Sequence, residues 1–167
     1  MKKFQIFFGL LLFSKLCFGQ EYILPNEEVI FSFETKKGKK MVLAKDKDNE
    51  YIIYRFGTEN KIELEYPEKN KESWSKFSYF YYGKPGGPEN NGMYCHSVNF
   101  KIDDYSYSIY SNLHLYEEGD ENNIGIIINN EKTGKRKKIE AYQSIEGTLD
   151  DFLDNNLLKF EDIENYE

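Results

Sequence analysis

The chain has 167 residues, a formal net charge of −7, 31% charged residues and 17% aromatic residues. An acidic balance of this size repels phosphate backbones and anionic lipid, which argues against nucleic acid as a partner. Its 40% apolar content suffices for one hydrophobic core and sets the chain apart from disordered sequences.

The first residues, "MKKFQIFFGLLLFSKLCFGQ", pair Lys2 and Lys3 with an apolar block over 4–13 and small residues near Gly19. That layout predicts a secretory leader over 1–19, with cleavage after Gly19 or after Gln20. The apolar block is shorter than the roughly 20 residues a membrane span requires, so no membrane span is expected. Cys17 is a candidate for lipidation, although Lys15 and Leu16 fit a lipid-attachment motif poorly. Loss of the leader removes Lys2, Lys3 and Lys15 and takes the net charge from −7 to −10. The expected location is periplasmic or secreted.

The mature chain then has one cysteine, Cys95, and no partner for it within the chain. Its core has to hold by packing alone. The odd thiol is either buried and inert or free to form an intermolecular disulfide that would make a dimer.

Residues 20–160 read as a single β domain. "EVIFSFE" (28–34) alternates Val29, Phe31 and Phe33 against Ile30 and Ser32, and "KMVLAK" follows after a Lys/Gly turn. "DKDNE" (46–50) is a polar turn; its Asp46, Asp48 and Glu50 lack the glycine and terminal Glu of a calcium loop. "YIIYRF" (51–56) and "KIELEY" (61–66) come next, and Pro67 stops the second. "WSKFSYFYY" (74–82), "MYCHSVNFKI" (93–102), "YSYSIYS" (105–111), "IGIIIN" (124–129) and "KKIEAYQ" (137–143) complete nine short runs. Period-two patterning with turn residues between the runs predicts an all-β, antiparallel fold of about eight or nine strands. A sandwich or closed barrel is expected, because a flat sheet of that width leaves long unpaired edges.

One segment breaks the pattern. In 148–160, Leu149, Phe152, Leu153, Leu157 and Phe160 fall at helical spacing, and Thr148 with Asp151 resembles a capping box. A C-terminal helix over 148–160 is expected, followed by an acidic flexible tail over 161–167.

The chemistry-bearing residues point away from catalysis. Cys95 and His96 are adjacent on a predicted strand and therefore face opposite sides of the sheet, so they cannot form a nucleophile and base pair. His114 is the other histidine, and nothing in its spacing places it near Cys95. Two histidines and one cysteine fall short of a structural zinc site, and no nucleophile-elbow or phosphate-loop pattern occurs. Carboxylates are too abundant to single out a pair. No catalytic residue, metal ligand or cofactor is expected.

The loop "GKPGGPENNG" (83–92) joins two prolines and four glycines, and loops of this length in compact domains are often functional. Trp74, Tyr79, Tyr81, Tyr82 and Tyr94 flank it, and aromatic rings beside a loop supply contact area at low entropy cost. These rings, with Lys84, Pro85, Glu89, Asn90 and Asn91 of the loop, form the predicted binding set. Alternation alone does not decide which rings face outward.

The runs "YRFGTENKIELEYP", "SWSKFSYFYYG…GGPENNGM", "VNFKIDDYSYSIY" and "GIIINNEKTGKRKKI", spanning 54–147, resemble small exported proteins of Gram-negative bacteria. The layout is similar to that of periplasmic lysozyme-inhibitor barrels and of immunity proteins that neutralise cell-wall-degrading effectors. The resemblance implies a non-enzymatic binding domain whose exposed loop enters the cleft of a target enzyme. The Ser-Gly-x-x-Tyr motif and disulfide of the best-known lysozyme inhibitors are absent, so no inhibitory position carries over. The expected partner is a protein, a basic hydrolase suiting the acidic charge, or alternatively a wall glycan bound by a carbohydrate or peptidoglycan module.

Overall fold

A computed structural model describes residues 21–87 and 90–161. The predicted leader, Cys17, Glu89 and the tail beyond Glu161 lie outside the described residues. The fold is all-β. Each of the nine predicted runs contributes a strand: β1 (Glu27–Thr35), β2 (Lys39–Asp46), β3 (Ile52–Thr58), β4 (Lys61–Tyr66), β5 (Phe77–Lys84), β6 (Gly92–Ile102), β7 (Tyr105–Leu115), β8 (Glu121–Asn130) and β9 (Arg136–Gly147). A tenth, β10 (Lys159–Phe160), follows a one-turn helix α1 (Phe152–Asn155).

The strands form one sheet in the order β10-β5-β6-β7-β8-β9-β1-β2-β3-β4, antiparallel throughout except where β10 runs parallel to β5. This differs from the expected sandwich or closed barrel. There is one sheet rather than two, and its ladder ends at β4 on one side and β10 on the other. The sheet instead curls into a half-barrel, bringing Tyr54 of β3 and Tyr66 of β4 against Phe77, Phe100 and Tyr107 of β5, β6 and β7. Tyr66, Phe100 and Tyr107 stack with interplanar angles of 18° and 5°.

Alternation explains which side chains fill the concave face. Phe77 and Tyr79, Val98 and Phe100, and Ile109 and Ile126 point inward and are buried, joined by Phe31, Phe33, Met41, Leu43 and Tyr54 from the other half. Strands β2 and β3 are covered on their second face too, where Val42, Ala44, Tyr51 and Ile53 pack under Tyr22 of the N-terminal segment.

Two sequence expectations are corrected. The run starting at Trp74 does not begin as a strand; Lys71–Lys76 form a 3₁₀ helix, because the Asn70 side chain accepts from the Glu72 N–H at its start. The buried Ser73 hydroxyl then accepts from Ile52 N–H, and Trp74 Nε1 donates to the Asn49 carbonyl. The predicted helix over 148–160 is only four residues long. Asn156 adopts the left-handed conformation at φ 52°, and the Asn155 side chain accepts from Leu157 N–H, which ends the helix. The apolar residues of this segment still reach the core: Leu149, Phe152 and Leu158 are buried, and the chain then adds β10 to the edge of β5. Gly147 starts the segment at φ 77°, so close to β1 that a Cβ there would lie 2.0 Å from the Ile30 carbonyl oxygen.

The "DKDNE" run forms the β2–β3 hairpin. Asp46 Oδ1 accepts from the Asp48 N–H at 2.8 Å and Oδ2 from Asn26, so this carboxylate braces the turn.

A buried ion pair ties β1 to β3. Arg55 is 1% exposed, and its two terminal nitrogens reach both oxygens of Glu27 at 2.6 and 2.7 Å. Arg55 Nε donates to Glu65, and Glu27 also accepts from Tyr51 Oη and Leu24 N–H. Burial by itself raises the carboxyl pKa of Glu27, but hydrogen bonds from Arg55, Leu24 and Tyr51, with the Arg55 charge, hold it below the usual range. Replacing Glu27 by Ala leaves a guanidinium buried without its main partner. The expected loss is about 3–5 kcal/mol of unfolding free energy at pH 7, measured by urea denaturation. A carboxyl with a depressed folded-state pKa stabilises above its unfolded pKa and stops doing so as pH falls through the folded value. The gap between wild type and Glu27→Ala should therefore narrow below about pH 4.

Candidate binding site at the β5–β6 hairpin

Strands β5 and β6 pair in unbroken register from Phe77↔Phe100 to Lys84↔Met93, and the ladder resumes at Gly87 and Asn90, which exchange bonds of 2.9 and 3.1 Å. The predicted ten-residue loop is thus largely an extension of the hairpin. Gly92 makes this possible, because a Cβ there would stand 2.7 Å from the Gly86 nitrogen. Lys84, Pro85, Asn90 and Asn91 are exposed on this projection.

Period two then sorts the flanking rings. Tyr81 and Tyr94 lie on the concave face and are half-buried. With His96, Ser111, Asn122 and Asp150 they line a pocket of about 440 Å³ at the mouth of the half-barrel. Tyr81 is directly opposite His96, their ring centroids 4.9 Å apart, and His96 is opposite Ser111. Tyr79 also points inward but is fully buried, so it offers no exposed contact area; its role is to pack the core and to bond His96. Tyr82 faces the convex side, across from Cys95. Trp74 sits before the start of β5, the full length of that strand away from the hairpin tip, and lines a different and larger cleft. The predicted set therefore divides. Tyr81 and Tyr94 come together beside the hairpin, while Trp74, Tyr79 and Tyr82 do not join them.

His96, Ser111, Asn122 and Asp150 were missing from the predicted set. For His96 a signal existed, since it is two residues from Tyr94 and so shares its face. Asp150 had none, because it arrives from a segment 54 positions away that was expected to be helical.

His96 is the buried polar centre of the mouth. Its Nδ1 lies 2.7 Å from the Tyr79 hydroxyl, and its Nε2 lies 3.3 Å from Asp150 Oδ1. A neutral ring with Nε2 protonated accepts from Tyr79 through Nδ1 and turns its N–H side toward the Asp150 carboxylate. Burial lowers the pKa of His96, and the Asp150 carboxylate opposes that shift only in part. Nδ1 thus ties the ring to Tyr79 of β5, and Nε2 is the nitrogen that meets the 148–151 segment, at Asp150.

Cys95 is on the other face, as its position next to His96 requires. It is half-buried between Tyr82 and Asn112, and burial pushes the thiol pKa up. His114 stands opposite Met93, and its ring stacks on Tyr116 at 6.0 Å.

Charge around the mouth is mainly acidic, with Lys84 of the hairpin as an exposed cation. The turn from β7 to β8 carries Glu117, Glu118, Asp120 and Glu121, and a groove there is lined by three of these four acids together with Asn91 of the hairpin and Tyr116. Asp150 adds a further carboxylate, 60% exposed, on the adjoining pocket.

No family model, curated protein or solved structure matches the chain.

The depressed pKa of His96 has a consequence for stability. Between the folded pKa and the ordinary imidazole value the unfolded chain binds more protons, so stability rises with pH in that window and falls on acidification below about pH 6.5. Thermal unfolding of wild type should show this slope from pH 6.5 downward. In His96→Gln the slope over the same range should be shallower, and equal slopes would remove His96 from the account.

Proposed function

We propose that this chain is an exported, non-enzymatic binding protein that grips a protein partner with the β5–β6 hairpin and the mouth beside it, in the manner of an inhibitor or immunity protein against a cell-wall hydrolase. The observation that carries the reading is the combination of a projecting hairpin with two half-buried tyrosines at its base and an unbalanced acidic rim. Tyr81 and Tyr94 supply amphipathic contact area of the kind that concentrates binding energy, and Lys84, Asn90 and Asn91 supply polar groups at the tip. The carboxylates of 117–121 and Asp150 favour a cationic partner, since complementary charge steers encounter and rejects acidic competitors. A basic, lysozyme-like wall hydrolase has that charge.

The absence of an enzymatic role in this reading rests on what His96 and Cys95 do. The imidazole is committed through both nitrogens to Tyr79 and Asp150, and the thiol is on the opposite face with its pKa raised.

The test mixes mature protein with a panel of cationic wall hydrolases and follows lysis of wall suspensions. Inhibition of at least one is expected. Tyr94→Ala should weaken that inhibition about tenfold or more, as for a central anchor. The pair Glu117→Lys and Glu118→Lys should slow association about tenfold at low salt, with less effect at high salt. Unchanged lysis by every hydrolase at large excess of this protein would count against the proposal.

A further inference from the structure

We infer that the cleft at the opposite pole of the half-barrel, near the start of β5, is a binding site for a carboxylated sugar chain, and that Glu161 of this chain occupies its carboxylate position. The site is separate from the hairpin and does not depend on the reading given for it.

The cleft is the larger of the two described, at about 980 Å³. Its floor follows from register. Ser78 pairs with Asn99, Asn99 with Ser108, and Ser106 with Asn129, so hydroxyl and amide side chains stand side by side across four strands on the convex face. Their neighbours in sequence, Phe77, Phe100 and Tyr107, face the core, which fixes the polar set on the other side. Side chains that both donate and accept, spaced at the 4.7–4.9 Å strand interval, match the alternating hydroxyls of a saccharide. Tyr66 and Trp74 are also among the lining residues; Tyr66 is stacked on Phe100 at the core side, so Trp74 is the ring offered to a sugar's apolar face.

Charge narrows the class. Lys76, Lys101 and Lys159 line the cleft, with Glu131 and Glu161 as its acids. Lys101 is paired with Glu131 at 2.7 Å. Beyond Asn129 the turn into β9 continues with Lys132, Lys135, Arg136, Lys137 and Lys138, and Arg136 is directly opposite Asn129. Lys132 pairs with Asp104 and Lys138 with Glu140. With Lys132 and Lys138 paired, Lys135, Arg136 and Lys137 are left to give this turn a local excess of positive charge on a chain of net charge −7. An acidic chain leaving the cleft past Asn129 runs onto them.

Glu161 shows where a carboxylate fits. Its side chain bonds the Ser78 hydroxyl through one oxygen and accepts from Asn99 Nδ2 at 3.2 Å through the other, while its backbone N–H donates to the Tyr79 carbonyl. The backbone bond holds the residue in place, so the carboxylate acts as a tethered competitor for any carboxylated ligand. Its removal should raise affinity, because the competent form of the site is then fully populated.

The chain has a single tryptophan, Trp74, and it lines the cleft, so its emission reports on ligand entry. The probes are a hexamer of galacturonic acid, neutral maltohexaose and linear polyphosphate, titrated into the full protein. The proposal expects a saturable change in Trp74 emission with the uronate hexamer. Maltohexaose should bind about tenfold more weakly or worse, consistent with loss of a charge-assisted hydrogen bond. Glu161→Gln should tighten uronate binding about fivefold, and Asn99→Ala should weaken it about tenfold. Ser108→Ala, a smaller change, serves if Asn99→Ala melts well below wild type, and should weaken binding about threefold. Polyphosphate binding more tightly than uronate would overturn the carboxylate assignment, as would equal binding of both sugars with no effect of Glu161→Gln. No response to any probe would overturn the site. Since no partner protein is present in the titration, its outcome is independent of whether the hairpin inhibits a hydrolase.

Discussion

Ring packing across the open seam is the constraint on which the rest of the molecule depends. A ten-stranded ladder has two ends, and here those ends are brought together by side chains instead of backbone hydrogen bonds. Tyr54 and Tyr66 on one end meet Phe77, Phe100 and Tyr107 on the other, with centroid separations from 4.9 to 6.3 Å. Aromatic pairs at these distances add to the burial of large apolar area, and neither requires a fixed backbone register between the joined strands. A curled sheet can thus enclose a core without closing. The mouth is a consequence, since the curl leaves the hairpin end open.

Much of this was legible in the sequence because a strand with one buried face writes its orientation into every second residue. The alternation of Phe77, Tyr79 and Tyr81 against Ser78, Phe80 and Tyr82 marks a strand and its two faces without saying which face is the inner one, and nine strands follow from nine such runs. What alternation lacks is any record of how far a sheet bends, so sandwich, barrel and half-barrel share one pattern. The segment 148–160 misled for a related reason. Leu149, Phe152 and Leu158 are buried through an irregular path, and apolar residues three or four apart fit that path as well as a helix. Asn155 and Asn156 were the local stop signal, and they outweighed the spacing.

The residues of the candidate site were half legible. Tyr81, Tyr94 and the exposed hairpin positions could be named from composition and turn chemistry. His96 could have been added from its spacing to Tyr94, but its meeting with Asp150 could not, because the two come together only once the chain has crossed β7, β8 and β9 and returned. Cys95 and His96 stand on opposite faces, a separation that pleat geometry alone requires. The basic run of 132–138 was visible as letters, yet its meaning depends on lying at the pole that holds the cleft.

Strand β8 has one further implication. Its ten residues span about 30 Å, with four carboxylates clustered at its start and five cations just past its end. Such a separation contributes a dipole along β8. In the field of any charged surface a torque acts on that moment before contact forms and favours one orientation of the strand over the other.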